Sequence, residues 1–434
     1  MGRDLTTRTL IVSNRVELQK LHAKQVEICH AIQQHQKVVI RCGRRFGKTS
    51  MLERLAAKRA YNGQRIGWLG PKYKLNAPTY GNLIHTLKPV IQSKSKIDQL
   101  IQLKTGGQIE FWTLEDENAG RSRKYHTVIV DEASLKAKGL KEIIDQSIRP
   151  TLLDYNGNII MAGTPKGIDQ DNYFYEACTN PLEGWHEVHA PTSANPHLDP
   201  EVVARLKDEY PPLVYQQEYL AEFVDWKGSA FFSEDSLLED GQPVPYPDRC
   251  DQVFAVIDTA LKDGVEHDGT AVIYYARNKF YGTPLVILDW DVLQIEGSLL
   301  MEWLPSVNMR LEQLAIETKA RQGNIGAWIE EKASGIVLLQ QARRAGMNAN
   351  PIPNAMTAAG KEGRCLSVSG YVYQGLVKVS DYAWNKVINY KGQTRNHMTS
   401  QVCSFRMGQK DGARDLLDCF TYGCAIALGD NQGY

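Results

Sequence analysis

Hydrophobic positions in the first half of the chain come in short unbroken runs. Lys37 to Cys42 (KVVIRC), Arg65 to Leu69 (RIGWL), Gln108 to Trp112 (QIEFW), Thr127 to Val130 (TVIV) and Asn158 to Ala162 (NIIMA) have the length and β-branched content of strands buried on both faces. Helix-like stretches such as Ser50 to Ala60 lie between several of them. This alternation predicts a largely parallel sheet covered by helices. Asp225 to Cys250 breaks the pattern, with Gly228, Gly241, Pro243, Pro245 and Pro247 and little periodicity, which places a domain boundary there. Beyond it, Val253 to Ile257, Thr270 to Ala276 and Leu285 to Asp289 read as a meander of three strands. A helix (Ser298 to Leu314), a strand (Ala327 to Ile329), a helix (Gly335 to Ala345) and a final helix (Arg414 to Leu428) follow. The reading divides the chain into residues 1–225, a linker at 226–250, and residues 251–434, both halves of α/β class. No internal repeat or low-complexity tract is present.

A length of 434 residues suits two or three domains. With 43% hydrophobic and 23% charged residues the composition is that of a globular protein, which excludes a disordered chain. No apolar run approaches the roughly 20 residues of a membrane span, and the polar segment Met1 to Leu10 lacks a signal-peptide core. Met1-Gly2 with Thr6 formally fits a myristoylation pattern, but one short enough to be met by chance. The eight cysteines are scattered singly, without a C-x-x-C pair; this reads as reduced thiols in a cytosolic protein and argues against zinc.

The net charge is zero, which at face value argues against a histone-like binder of nucleic acid. The zero hides an asymmetry. Residues 1–150 carry 27 Lys/Arg against 13 Asp/Glu, and residues 151–225 carry 3 against 13. A basic first third attracts polyanions even in a neutral chain, although an ordinary solvated surface can carry the same charge.

Lys37 to Thr49 (KVVIRCGRRFGKT) runs from a buried strand through a glycine-containing loop into a helix. A phosphate needs backbone N–H donors, close approach, a cation and a helix N-terminus. Gly43 and Gly47 allow the approach, Lys48 would bridge the β- and γ-phosphates, and Thr49 would ligate Mg²⁺. The usual spacing wants glycine five residues before Gly47; that position is Cys42, and Gly43 sits one place late. Thr127 to Ala133 (TVIVDEA) is a hydrophobic strand ending in acids. Asp131 would hold the Mg²⁺ through water and Glu132 would orient and deprotonate the attacking water; a strand ending in a solvated acidic turn would look the same in isolation. A third strand ends in Gly163-Thr164-Pro165-Lys166, where Thr164 could sense the γ-phosphate.

Arg44-Arg45-Phe46-Gly47-Lys48-Thr49, Val130-Asp131-Glu132-Ala133 and Gly163-Thr164-Pro165 together resemble the large terminase subunit of tailed bacteriophages. In that family the first loop is a deviant phosphate loop of this kind, which accounts for Cys42. The resemblance implies an ASCE-type P-loop NTPase domain with ATP and Mg²⁺ bound by Gly43, Arg44, Arg45, Gly47, Lys48, Thr49, Asp131 and Thr164. It makes Gln25, in Leu21-His22-Ala23-Lys24-Gln25, an adenine reader. It also implies an arginine finger, for which Arg44, Arg121 and Arg123 are candidates, in cis or in trans. Trp185, Asn195-Pro196 and Glu218-Tyr219-Leu220-Ala221-Glu222-Phe223 resemble the closing segment of the family's ATPase domain.

The second half offers carboxylates at element ends. Asp258 ends the first strand (FAVID), Glu330 and Glu331 follow Trp328-Ile329, and Asp415 and Asp418 open the last helix, three apart and so on one face. Three distant carboxylates brought to element ends are what a two-metal phosphodiester site requires. Each alone could equally be a solvated cap, and two acids in a helix's first turn are favourable there anyway. The element order resembles a ribonuclease H-like fold, which terminase nuclease domains have. The resemblance assigns the metal to Asp258, Glu330 and Asp415, with Asp418 in support and Glu330 preferred over Glu331. Where the family often has Asp-Asp-x-x-Asp, this chain has Arg414-Asp415-Leu416-Leu417-Asp418. Lys361-Glu362-x-Arg364 and Gly375 resemble further family positions.

The resemblance implies a viral DNA-packaging motor. Its ATPase drives double-stranded DNA into a procapsid, and its Mg²⁺- or Mn²⁺-dependent endonuclease cuts concatemeric DNA. The expected partners are a portal protein, a small terminase subunit and further copies of the chain in a ring, usually of five. Such a motor works in the host cytoplasm and is absent from the mature virion. Two rivals stay open: an ATP-dependent translocase or helicase whose second domain is catalytically dead, and an adaptor that binds nucleotide without turnover.

Overall fold

The computed structural model describes residues 16–136, 138–169, 171–226, 229–259, 269–295, 299–331, 334–406 and 414–429. The segment Met1 to Leu10 with its acylation pattern, and Lys332-Ala333, lie outside the described residues. The chain divides into two compact units, one of Met1–Leu206 and Pro212–Asp225, the other of Lys207–Pro211 and Trp226–Tyr434.

The first unit is built on eight strands: β1 (Lys37–Cys42), β2 (Arg65–Gly70), β3 (Ile91–Ser95), β4 (Leu100–Leu103), β5 (Gln108–Thr113), β6 (Thr127–Val130), β7 (Asn158–Gly163) and β8 (His186–Ala190). They lie in the order β3-β4-β5-β2-β6-β7-β1-β8. From β5 to β8 every pairing is parallel; β3 and β4 extend the β5 edge antiparallel. Successive side chains of a strand point to opposite faces, and both faces are covered. Val38, Ile40, Trp68, Ile129 and Ile160 join Ile28, Leu52 and Leu83 from three helices on one face. Val39, Leu69, Val128, Val130 and Met161 join Leu140, Ile144 and Phe174 on the other. That double burial is why the strands read as continuous apolar runs. The five strands expected from the sequence are β1, β2, β5, β6 and β7. The structure adds β3, β4 and β8 at the two edges of the sheet.

One point of topology positions the site. β7 lies between β1, which leads into the phosphate loop, and β6, which ends in Asp131 and Glu132. This separation by one strand is the ASCE-type P-loop NTPase arrangement.

The second unit carries β9 (Gln252–Asp258), β10 (Thr270–Arg277), β11 (Leu285–Leu293), β12 (Asn324–Ile329), β13 (Ala349–Pro351) and β14 (Val377–Val379), in the order β13-β12-β9-β10-β11-β14. β9, β10 and β11 form an antiparallel meander. β12 runs parallel to β9, and β13 parallel to β12. This is a ribonuclease H-like order. The helix Leu300–Glu317 lays Leu304, Val307, Leu311 and Leu314, at helical three- and four-residue spacing, on Val253, Ala255, Ile257 and Leu288. The helix Asp415–Leu428 packs on β9, β10 and β11. Phe254 and Tyr275 stack at 5.0 Å, and the Tyr275 hydroxyl donates to the Cys419 carbonyl at 3.1 Å. Residues 229–250, within the stretch expected as a linker, pack in this unit: Phe232, Leu237, Val244 and Cys250 are buried and Val244 is bridged to Ser380. Their prolines and glycines break helix and strand periodicity without preventing burial.

All eight cysteines stand as free thiols. Among the described residues no helix is long and apolar enough to cross a membrane.

Candidate functional site

β1 ends at Cys42 and the next helix begins at Lys48. The intervening loop therefore delivers its backbone to a helix N-terminus, where unsatisfied N–H groups favour an anion. Gly47 takes a left-handed φ of 92°, which suits glycine. Gly43 is constrained to be glycine by its surroundings. A Cβ there would stand 2.4 Å from the Tyr219 carbonyl oxygen and 2.7 Å from the Thr192 nitrogen. The late glycine thus lets the rest of the unit close on the back of the loop. The loop is tied down on that side: Arg44 N–H donates to the Glu218 carbonyl at 2.7 Å, the Thr192 hydroxyl to the Arg44 carbonyl at 2.7 Å, and the Asn195 amide to the Arg45 carbonyl at 2.7 Å. Phe46 is fully buried, edge-on to His22 with centroids 5.1 Å apart. Arg45 itself is exposed.

Gln25 is buried rather than on the helix surface. Its side chain accepts from the His22 N–H at 3.2 Å and donates to the Gly47 carbonyl at 3.0 Å. Any role toward a base is therefore linked to the position of the phosphate loop.

Lys48 pairs with Glu132 and lies 3.9 Å from Asp131, while the Thr49 hydroxyl donates to Asp131 Oδ2 at 2.9 Å. Burial lowers the affinity of Lys48 for its proton, but Glu132 and Asp131 outweigh this and hold it above the ordinary lysine range. Burial raises the Asp131 carboxyl, against the opposing pull of Lys48 and the Thr49 hydrogen bond. Glu132 sits at φ 52°, a conformation costing an L-residue about 1–2 kcal/mol; such strain clusters at functional sites. Thr164 is buried just past the end of β7. A hydroxyl and a carboxylate in contact beside a lysine form a hard oxygen donor set suited to Mg²⁺ and a polyphosphate.

The three arginines differ in availability. Arg44 is paired with Glu218, whose side chain is 3% exposed against 50% for Arg44. Glu218 also lies 3.4 Å from Lys166 Nζ and accepts from Gln217 at 2.8 Å. Arg123 is held by Glu110 at 2.9 Å, and the same carboxylate accepts from Tyr125 at 2.6 Å. Arg121 is exposed, its Nε donating to the Ser147 hydroxyl at 3.2 Å.

Burial alone would raise the Glu218 carboxyl, but Lys166, Arg44 and Gln217 bring it down to about 2. The folded state therefore binds this proton more weakly than the unfolded chain. The resulting stabilisation, roughly 3 kcal/mol, is complete above the ordinary carboxylate range and is lost as pH falls toward 2. Denaturant unfolding of the native chain and Glu218→Gln from pH 7 downward should give a stability gap that closes with acid. A gap independent of pH would refute this origin.

In the second unit, strand register brings acids to one end of the sheet. Ile257 pairs with Ile329, so Asp258 and Glu330 leave adjacent strands at the same level. Asp415 is buried and accepts from the Gly269 N–H at 2.9 Å. Glu330 is half-buried and accepts from the Tyr422 hydroxyl at 3.2 Å, whereas Glu331 is exposed. Burial pushes the Asp258 carboxyl well above the carboxylate range, and Asp418, Asp415 and Glu330 push it further. Mutual repulsion among hard oxygen donors is what a divalent cation relieves, so the donor chemistry fits. The geometry is less complete. Among the described residues no three His, Cys, Asp or Glu side chains are drawn together as a metal shell. Asp418, expected in support of the metal, is engaged by Arg364 and by Lys361 at 2.9 Å. These two cations, noted in the sequence only as family-like positions, explain the difference.

Residues 39–238 match the family model described as terminase large subunit, T4likevirus-type, N-terminal. No curated protein matches the chain. Among solved structures, the large terminase of a thermophilic bacteriophage in complex with ADP is 14% identical, with 95% of this chain and 100% of that chain covered and a TM-score of 0.66. The same phage's terminase in complex with ATP-gamma-S is 15% identical, with 94% and 99% covered and a TM-score of 0.61. At such identities the likeness is one of fold, and it extends over both units. The first unit thus belongs to the terminase large-subunit family, and the chain as a whole has the fold of a large terminase.

Proposed function

We propose that this chain is the ATP-driven motor and nuclease that packages the DNA of a tailed phage. One observation carries the reading: Lys48 and Thr49, from the phosphate loop, meet Asp131 and Glu132 across the intervening strand β7. The family match over the first unit and the ADP and ATP-gamma-S complexes of a terminase of like fold support it. Residues 1–225 would form the ATPase domain and residues 251–434 the nuclease domain. Lys48 holds the β- and γ-phosphates, and Thr49 and Asp131 hold Mg²⁺. Glu132 orients the attacking water and takes its proton once nucleotide draws Lys48 away. Gln25 reads the base and Thr164 senses the γ-phosphate. Arg44 serves in cis and the exposed Arg121 is the better candidate in trans, since Arg123 is held by Glu110.

In the second unit Asp258, Glu330 and Asp415 would hold Mg²⁺ or Mn²⁺. The ions supply water activation and leaving-group stabilisation when bound. Asp418 instead orients Lys361 and Arg364 beside the scissile phosphate. Double-stranded DNA is the substrate of both units. A ring of copies, five by the family's habit, would dock on the portal in the host cytoplasm, with a small subunit selecting the site.

Phosphate release by the full chain is expected to rise with double-stranded DNA. Because phosphate contacts release counterions, the stimulation should fall steeply between roughly 50 and 200 mM salt. Absence of any DNA effect would remove the motor reading. A second reading, a translocase with an inactive second unit, is favoured by the lack of a drawn-in three-ligand group among the described residues. Mn²⁺-dependent plasmid cleavage separates the two.

A further inference from the structure

The hairpin between β10 and β11 turns at the end of the sheet away from Asp258. Arg277, the last residue of β10, pairs with Leu285 on β11 and with Gln252 at the start of β9, whereas Asp258 at the other end of β9 pairs with Ala271. Roughly 20 Å of strand lies between the two levels, at about 3.3 Å per residue. The Asn278 N–H donates to the Pro284 carbonyl at 2.8 Å and closes the turn. Two consecutive aromatic side chains stand on it, Phe280 at 72% and Tyr281 at 60% exposure. Phe280 is the only exposed phenylalanine among the described residues. Cations lie against both rings. The Arg249 guanidinium is 5.6 Å from the centre of the Tyr281 ring, and the Lys279 ammonium is 6.0 Å from that of Phe280. Asp251 ties a third cation to this end: it accepts from the Lys279 N–H at 2.7 Å and pairs with Arg321 at 3.3 Å. Arg249, Lys279 and Arg321 are all exposed; against them stand Asp251, engaged in that way, and the exposed Asp248.

Nothing in the ATPase or nuclease reading uses this tip. Duplex phosphates call for cations alone, and an aromatic anchor for a protein partner is usually set among apolar side chains. Here a cation lies against each ring instead. Rings interleaved with cations suit successive unpaired nucleotides, whose bases stack on the rings while their phosphates meet the cations. A ring with a cation on one face keeps its other face for a base, and the cation adds its own attraction. In a duplex the base faces are already stacked on one another and offer the rings nothing. We propose that the β10–β11 tip binds single-stranded nucleic acid, with Phe280 and Tyr281 each stacking a base and Arg249, Lys279 and Arg321 meeting the phosphates. At its distance from Asp258 the tip holds a strand outside the cleavage site.

The test is fluorescence anisotropy with the full chain in EDTA, where no strand is cut. The probes are labelled oligodeoxythymidine and oligouridine of about twelve nucleotides, within the usual site size, and a DNA duplex of the same length. Phe280→Ala and Tyr281→Ala are each expected to weaken single-strand binding at least about fivefold, and duplex binding less than about twofold. Phe280→Trp should keep the native affinity. Arg249→Gln should weaken binding and lower its salt slope by about one. The strand that shows the loss, DNA or RNA, identifies the source; a loss with neither overturns the proposal. Equal losses for single strand and duplex overturn it too, since attraction to phosphate would then suffice. Unchanged single-strand affinity when both rings are replaced overturns it and turns the tip toward a protein partner. The substitutions fall on exposed side chains, and a melt matching that of the native chain checks the fold. With neither ATP nor a divalent cation present, failure here leaves the ATPase and nuclease readings untouched.

Discussion

Lys48→Ala should abolish ATP hydrolysis, with phosphate release falling by at least ~10²–10³-fold, the range seen when a preorganised donor to a developing charge is removed. The loss has two sources. On the proposed function Lys48 is the cation that meets the phosphates, and it also neutralises Glu132 and Asp131. Without it two neighbouring carboxylates face an incoming polyanion, so nucleotide affinity should fall as well as turnover. The Thr49–Asp131 hydrogen bond at 2.9 Å does not involve the lysine, so the fold should survive, as a thermal melt would check. Retention of DNA-stimulated phosphate release by this variant would end the ATPase assignment. Glu132→Gln offers a contrast, since it removes the proton acceptor but leaves Lys48 in place.

Asp258→Asn should eliminate metal-dependent DNA cleavage and, at the same time, make the protein more stable when no divalent cation is present. The native acid is disfavoured by burial and by Asp418, Asp415 and Glu330 around it. Replacing it with a neutral side chain of equal size relieves that repulsion, a trade of stability against function common at active sites. Relief of about 1 kcal/mol corresponds to a rise of roughly 2–4 °C in Tm for a unit of this size. Mn²⁺ should close the gap by stabilising only the native chain. Continued cutting by Asp258→Asn would dismiss this acid as a ligand. A variant less stable than the native chain in EDTA would dismiss the repulsion.

The parts of this molecule legible in the sequence share a physical trait. β1, β2, β5, β6 and β7 are buried on both faces, and such strands must be apolar throughout. Edge strands have no such requirement. β3 (IQSKS) is largely exposed and reads as polar loop. β13 and β14 have three residues each, too few to establish a period. Lys48, Thr49, Asp131 and Glu132 stand out because each lies at the end of an element whose pattern is strong. Glu218 is visible in the sequence only as part of a family-like string. Its importance comes from enclosure by Arg44 and Lys166, 174 and 52 residues away in sequence. Gly43 lies one place off the usual spacing, and no spacing rule reveals the Tyr219 carbonyl behind the loop that leaves no room for a Cβ there. Helical spacing places Asp418 beside Asp415 and so suggests a ligand; the cations that claim it arrive from the helix Gly360–Tyr373.

The strand inserted between β1 and β6 sets a dimension. Neighbouring strands in a sheet are about 4.8 Å apart, so the two flanking β7 are separated by roughly twice that. Side by side, their ends would leave room for little more than a hydrogen bond. At double spacing there is room between them for side chains from both rims, and Thr49 meets Asp131 there at 2.9 Å. The order of the strands thus acts as a gauge fixed by backbone hydrogen bonds. Side chains at the rim can change without altering the width of the opening they surround.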